Sequence, residues 1–263
     1  MNYRELSVRR NGHQIYAREY PGGEPAIILM HGFPDNLHLY DRLIPFVSPS
    51  RRIVTFDFLG WGASDKPQDY AYTAANQEGE LDSVIRGLPL DRVVLVAHDA
   101  SGPPAIDWAL AQPESVAGLV LLNTYYCEMP TLRPPEAIFL FSTPLVRGVA
   151  RRISRIFGNL IFKKMFWWQV GKFFRDTEVK EEFLPIFYQQ FEATPSTRPA
   201  FFGLNNDLLP SIRAHSKMIF KLREFRRPVR IIFGEADPYL NIGVARSFHE
   251  LFPTSDTKLR SNE

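Results

Sequence analysis

The sequence has one cysteine, Cys127, in 263 residues. No disulfide can form within the chain, which fits a reducing compartment. It has almost no excess charge, with 31 Lys and Arg against 29 Asp and Glu, so no strong field for nucleic acid arises. No apolar run reaches the ~18 residues of a membrane-spanning helix. The opening stretch, MNYRELSVRRNGHQIY, lacks the apolar core of a secretory signal. Internal repeats and low-complexity segments are missing. So are metal-ligand clusters and phosphate-cradling loops. These absences predict a cytoplasmic protein with no cofactor, no nucleic-acid partner and no membrane contact.

What is present is core material. The chain is 45% hydrophobic and 13% aromatic, ample for one large core. Ser7–Arg10 and Gln14–Glu19 flank Asn11-Gly12, a hairpin signal. Ala26–Met30, Arg52–Phe58, Val93–Ala97, Val116–Leu122 and Val229–Phe233 are continuous apolar runs. Runs of this kind read as strands buried on both faces, as in a parallel sheet. Helices are predicted at Leu39–Val47, Ala74–Gly87, Pro103–Ala111 and Ile242–Leu251, with a last short strand at Thr257–Asn262. This alternation predicts an α/β fold with a mostly parallel, doubly wound sheet.

From about Met129 to Phe225 the β-like runs stop. The block reads as helical, aromatic and punctuated by prolines, Pro185 and Pro210 among them. It is predicted to be a helical cap over 129–225, inserted between core segments 1–128 and 226–263. Its first half is basic, with Arg147, Arg151, Arg152, Arg155, Lys163, Lys164, Lys172 and Arg175. These read as a solvated cap face rather than a membrane-surface helix.

The stretch VVLVAHDASG, Val93–Gly102, ends an apolar run in a carboxylate followed by small residues. In open α/β sheets ligands sit beyond the carboxyl ends of strands. The frame Ala97-His98-Asp99-Ala100-Ser101-Gly102 fits a sharp strand-to-helix turn that lifts the central side chain above the sheet. Asp99 therefore reads as a nucleophile, or else as a cap of the following helix. Ser101 falls where the turn wants a small neighbour.

Four motifs in order, HGFPDNLHLY (His31–Tyr40), DFLGWGASDKP (Asp57–Pro67), AHDASG (Ala97–Gly102) and GEADPY (Gly234–Tyr239), resemble the α/β-hydrolase family. The resemblance is to its haloalkane dehalogenase and epoxide hydrolase branch. It covers nearly the whole chain and is weakest in the cap. It implies an oxyanion hole from the backbone amides of Phe33 and Ala100, and Asp237 as the acid that orients a histidine, with Glu235 as a neighbour that could be mistaken for it. His31 and the Asp57–Pro67 turn read as structural.

A carboxylate nucleophile suits attack on sp3 carbon. It is ionised at neutral pH and needs no base to lose a proton, giving a covalent alkyl ester. A histidine is then needed only to activate water. The resemblance leaves two leaving groups open. For halide, the family's indole after the nucleophile is here Ala100, and Trp167 or Trp168 of the cap are the candidate donors. For epoxide, Tyr188 is the candidate phenol, and the expected second tyrosine falls near Phe202-Gly203. The balance leans to halide. Phe33, Trp61, Trp167, Trp168, Phe201 and Phe202 suggest a hydrophobic small-molecule substrate, with water as co-substrate.

The family places its catalytic histidine just after the last strand, and the sequence ends at Glu263. His98 is expected to turn away from the site. The expectation is a chain that stops short of its general base and final helix, able to form the ester but slow to hydrolyse it. A non-catalytic binding protein with the same fold, and a serine esterase using Ser101, are the competing readings.

Overall fold

The computed structural model describes residues 2–47, 50–143, 148 and 158–260. Eight strands form one sheet among these residues: β1 (Arg4–Arg10), β2 (His13–Tyr20), β3 (Ala26–Met30), β4 (Ile53–Phe56), β5 (Val93–Asp99), β6 (Val116–Thr124), β7 (Val229–Gly234) and β8 (Ser255–Arg260). Their order is β1-β2-β4-β3-β5-β6-β7-β8. β1 and β2 form an antiparallel hairpin, and β2 joins β4 antiparallel. From β4 to β8 every pairing is parallel. Asn11 and Gly12 both take positive φ, 49° and 85°, the geometry of a tight hairpin turn.

The apolar runs are strands because both faces of the sheet are covered. Val93, Leu95 and Ala97 pack on one side, and Val94 and Val96 on the other. Strand alternation thus sends one run into two cores. Helices α1 (Ile44–Val47), α2 (Ala74–Arg86), α3 (Gly102–Ala111) and α9 (Ile242–Leu251) belong to the sheet-forming parts of the chain. The helix predicted over Leu39–Val47 is instead a 3-10 turn, Leu37–Tyr40, followed by the single turn α1. Asn36 starts the earlier turn by accepting from the His38 amide at 3.2 Å. The last strand was expected at Thr257–Asn262. It begins two residues earlier, and Ser261 and Asn262 lie outside the described residues.

Between β6 and β7 lie α4 (Glu136–Ser142), α5 (Gly158–Gly171), α6 (Thr177–Glu192), α7 (Arg198–Ser216) and α8 (Ile219–Glu224). Phe162, Phe166, Phe191 and Phe201 pack ring against ring among them. Pro185 and Pro210 sit inside α6 and α7 rather than at their ends. Each removes one donor from the helix ladder, yet both helices continue past it. Of the basic residues, Arg147, Arg151, Arg152 and Arg155 lie outside the described residues. Lys163 stands over the Trp167 ring, and Lys172 lies 3.5 Å from the Trp168 ring centroid. No helix among the described residues is long and apolar enough to cross a membrane.

Candidate active site

Chain order reverses between β3 and β5: the chain goes from β3 outward to β4, then returns to β5 on the other side. Such switch points open a crevice beyond the strand ends. Gly32 and Phe33 follow β3 there, and Asp99 ends β5. Asp99 has φ 49°, a left-handed conformation that costs a non-glycine residue about 1–3 kcal/mol and clusters at functional sites. The turn is held from beneath. Ser101 is buried, and its hydroxyl accepts from the His98 amide at 2.8 Å. It sits within donating distance of the His98 carbonyl, 2.8 Å, and the Met30 carbonyl, 3.1 Å. Thr124 Oγ1 donates to the Asp99 carbonyl at 2.5 Å. A Cβ at Gly102 would overlap Thr124 Oγ1 and come within 2.8 Å of the Tyr125 carbonyl.

Asp99 Oδ2 accepts from the Phe33 amide at 3.0 Å. Burial pushes the Asp99 carboxyl up to about 7, helped by the charges of Asp35 and Asp237, while the Phe33 and Ala100 amides pull it down. This corrects the expectation of a fully ionised carboxylate. Near pH 7 the group is divided between its two forms. Gly32 gives the backbone its close approach: a Cβ there would lie 2.8 Å from Asp99 Cβ and 2.9 Å from His98 Nδ1.

The neighbouring polar groups have defined partners. His31 is buried, accepts from the Phe58 amide through Nε2 at 3.1 Å, and pairs with Asp35 through Nδ1 at 3.2 Å. Asp57 accepts from the Leu37 and Ala63 amides, both at 2.8 Å. Both residues brace loops, as their sequence context suggests. Asp237 Oδ1 accepts from the Tyr239 and Leu240 amides at 2.8 and 3.0 Å, and Oδ2 from Asn123 Nδ2 at 2.8 Å. Glu235 is exposed. Among the described residues no histidine bonds to Asp237 or Asp99.

A cavity of about 630 Å³ lies over this floor and beneath the inserted helices. Phe33, Asp99, Ala100 and Asp237 line it together. Trp167, Trp168 and Tyr188 do not. Trp168 is half exposed and carries Lys172 on its ring. Trp167 and Tyr188 pack against each other at 4.8 Å, with Tyr188 buried. Trp167 and Tyr188 thus pack between α5 and α6, and Trp168 faces the surface, so none of the three rings belongs to the cavity. Trp61, Phe201 and Phe202 are likewise absent from the lining. His98 was expected to turn away, yet it lines the cavity, with Nδ1 3.8 Å from Asp35 Oδ2 and no hydrogen bond.

Tyr125 also lines the cavity, and the sequence reading passed over it. It follows the tip of β6, whose Thr124 pairs with Asp99. The rule that placed Asp99 at a strand end points equally to the residues beyond Val116–Leu122.

Residues 25–262 match the model of a family described as the alpha/beta hydrolase fold. Among relatives, the chain is 32% identical over 150 residues to a cis-3-alkyl-4-alkyloxetan-2-one decarboxylase of Shewanella oneidensis, covering 54% of this chain and 47% of that one. It is 35% identical over 130 residues to a haloalkane dehalogenase of Mycolicibacterium smegmatis, covering 47% and 40%. The aligned stretch spans less than half the length of either. The crystal structure of the haloalkane dehalogenase DatA of Agrobacterium tumefaciens superposes with a TM-score of 0.81 at 20% identity, covering 98% of this chain and 88% of that one. That likeness is one of fold.

Proposed function

The chain belongs to the α/β-hydrolase fold family, and from that premise we propose that it is a hydrolase whose nucleophile is Asp99. Asp99 attacks a saturated carbon that bears a leaving group, and a covalent alkyl ester forms. The observation that carries this reading is the strained Asp99 at the tip of β5, with one carboxylate oxygen on the Phe33 amide. An oxygen held by backbone donors leaves the other free to attack. The same donors face the charge that develops when water later adds to the ester. Ser101 supports no competing mechanism. Its hydroxyl is tied to backbone on three sides and does not line the cavity.

Halide is the first leaving group to consider, in keeping with the haloalkane dehalogenase relative. A second reading, the oxygen of a strained ring, is favoured by one observation: none of the indoles offered as halide donors lines the cavity, whereas a tyrosine, Tyr125, does. The Shewanella relative is named for an oxetan-2-one, a strained oxygen ring. With no histidine bonded to Asp237 or Asp99 among the described residues, the ester is expected to accumulate rather than turn over.

Intact-protein mass spectrometry after incubation with 1-bromohexane tests the reading, with peptide mapping. One hexyl adduct on Asp99, absent from Asp99→Ala, is the expected outcome. Steady release of hexanol would overturn the accumulation of ester. No adduct on folded protein would instead support a non-catalytic binding role for the cavity.

A further inference from the structure

We propose that Gln77 and Asp207 form a polar subsite, in the corner of the cavity where α2 meets α7, that holds a hydroxyl group of the substrate. The inference rests on the reading of Asp99 as the nucleophile. It adds the class of molecule the cavity takes: an aliphatic chain with a leaving group at one end and an alcohol at the other.

Gln77 carries the inference. It lies on α2, is 5% exposed and lines the cavity. Neither atom of its side-chain amide has a hydrogen-bond partner among the described residues. Neither is sealed away from water, in contrast to Asn205 Oδ1, which is buried without a partner. An amide this deep, unpartnered and yet within reach of water, faces the space the residue borders, which is the cavity. The two other buried glutamines of the described residues are committed. Gln190 accepts from the Gly62 amide and Gln169 from the Ala137 amide. Packing alone would be better served at position 77 by leucine or methionine, because burying an amide without a partner is unfavourable.

Asp207 brings a second group to the same corner. Its Oδ2 accepts from the Ala74 amide at 2.8 Å, which ties α7 to the first turn of α2. That bond satisfies one of the donors left over at the start of the helix and fixes the carboxylate. Ala74 and Gln77 are three residues apart on α2 and so are neighbours on one face. Both line the cavity with Asp207. The other carboxylate oxygen of Asp207 has no hydrogen-bond partner among the described residues and is not sealed from water.

A hydroxyl matches this pair in both directions. Its proton goes to the Asp207 carboxylate, and its oxygen accepts from the Gln77 amide nitrogen. An ether oxygen only accepts, so it would displace water from Asp207 and offer no donor in return. A carboxylate on the substrate would set a second negative charge against the first. Leu204, Leu208, Ile212 and Phe187 also line the cavity, and they suit the alkyl chain that joins the two ends. No covalent bond forms or breaks at the subsite.

The test reads the rate of Asp99 ester formation by intact mass spectrometry with 6-bromohexan-1-ol, 8-bromooctan-1-ol and 10-bromodecan-1-ol. Each is compared with its methyl ether, which carries the same oxygen without the proton. At one of the three lengths the alcohol is expected to react about tenfold faster at low concentration, through a lower half-saturating concentration rather than a higher limiting rate. In Gln77→Met, which keeps the length of the side chain, that preference should fall to within about twofold. The comparison of alcohol with ether uses the unaltered chain, so it does not depend on how the variant folds. Equal rates for alcohol and ether at every length would overturn the subsite. So would one preference shared by all three lengths, which reports solubility, or a preference that survives Gln77→Met. If no bromide labels Asp99, the nucleophile fails, and calorimetric binding of 1-octanol against 1-methoxyoctane decides the subsite on its own. Tighter binding of the alcohol supports it, and equal binding overturns it.

Discussion

At the floor of the cavity, position is set by backbone: Asp99 sits in a left-handed turn, its carboxylate on the Phe33 amide, with Gly32 and Gly102 at contacts that exclude a Cβ. At the roof, position is set by side chains. Phe162, Phe166, Phe191 and Phe201 interlock, and a few polar links, such as Gln190 to Gly62 and His215 to Asp107, tie the roof to the core. A backbone constraint allows few residue types, so it leaves a short, ordered motif. Side-chain packing accepts many hydrophobic residues of suitable volume, so it leaves only a composition. Substitutions should therefore act sharply at the floor and gradually at the roof.

The sharpest test is Asp99→Asn. Removing the nucleophile should slow ester formation with 1-bromohexane by at least ~10³-fold. The same change should raise stability. The Asp99 carboxyl is raised from 3.8 to about 7 in the folded state, so the folded chain holds this proton more tightly than the unfolded one. The unaltered chain is then fully favoured below pH 4 and loses stability as pH rises through 7. Asparagine does not titrate and tolerates positive φ. The gain in Tm should thus be larger at pH 8 than at pH 5. A loss of stability at pH 8 would mean that the carboxylate holds the elbow together rather than strains it.

Next in size is Gly102→Ala. Its Cβ would meet Thr124 Oγ1 and the Tyr125 carbonyl, and overpacking against fixed backbone costs roughly 3 kcal/mol. Urea unfolding reads the change, and the ester-forming rate should fall with it. At the roof, Gln190→Ala leaves the Gly62 amide without the acceptor it has at 2.7 Å. An orphaned polar group costs about 1–3 kcal/mol. The effect should appear in stability more than in the rate. If Gln190→Ala proved costlier than Gly102→Ala, the contrast between floor and roof would be reversed.

The same contrast explains what could be read from the amino acids. Val93–Ala97, Val116–Leu122 and Val229–Phe233 announce β5, β6 and β7 because strands covered on both faces must be apolar throughout. Asp99 and Asp237 stand out because each follows such a run. Leu39–Val47 misleads because Asn36, just outside the apolar pattern, starts an earlier turn. Trp167, Trp168 and Tyr188 mislead for a different reason: an aromatic residue on a cap helix faces either the cavity or the other helices, and nothing local decides which. Tyr125 was hidden in plain view. It follows a strand tip as Asp99 does and lines the cavity, but no motif in the sequence singles it out.

A smaller effect comes from pH alone. With the Asp99 carboxyl at about 7, the ionised fraction, and the rate of bromohexane adduct formation with it, should rise about tenfold between pH 6 and pH 8. The rise should fail to appear if the carboxyl keeps its ordinary acidity, because the rate would then be flat across this range.

The smallest effect is expected at Trp168, and it probes the roof directly. Trp168 is 53% exposed and lies outside the cavity lining. Its contact with Lys172 is at the surface, where a cation over a ring contributes about 0.5–1 kcal/mol. Trp168→Ala should shift stability by no more than that and leave both the bromohexane and the styrene oxide rates within about twofold. The comparison between the two probes carries the argument. An indole that held a departing bromide would, once removed, slow bromohexane and spare the epoxide. Finding it would place the leaving-group contact on the roof, where packing sets position only loosely. Finding neither rate changed keeps that contact off the exposed indole and among the residues that line the cavity around Asp99, where the backbone sets position.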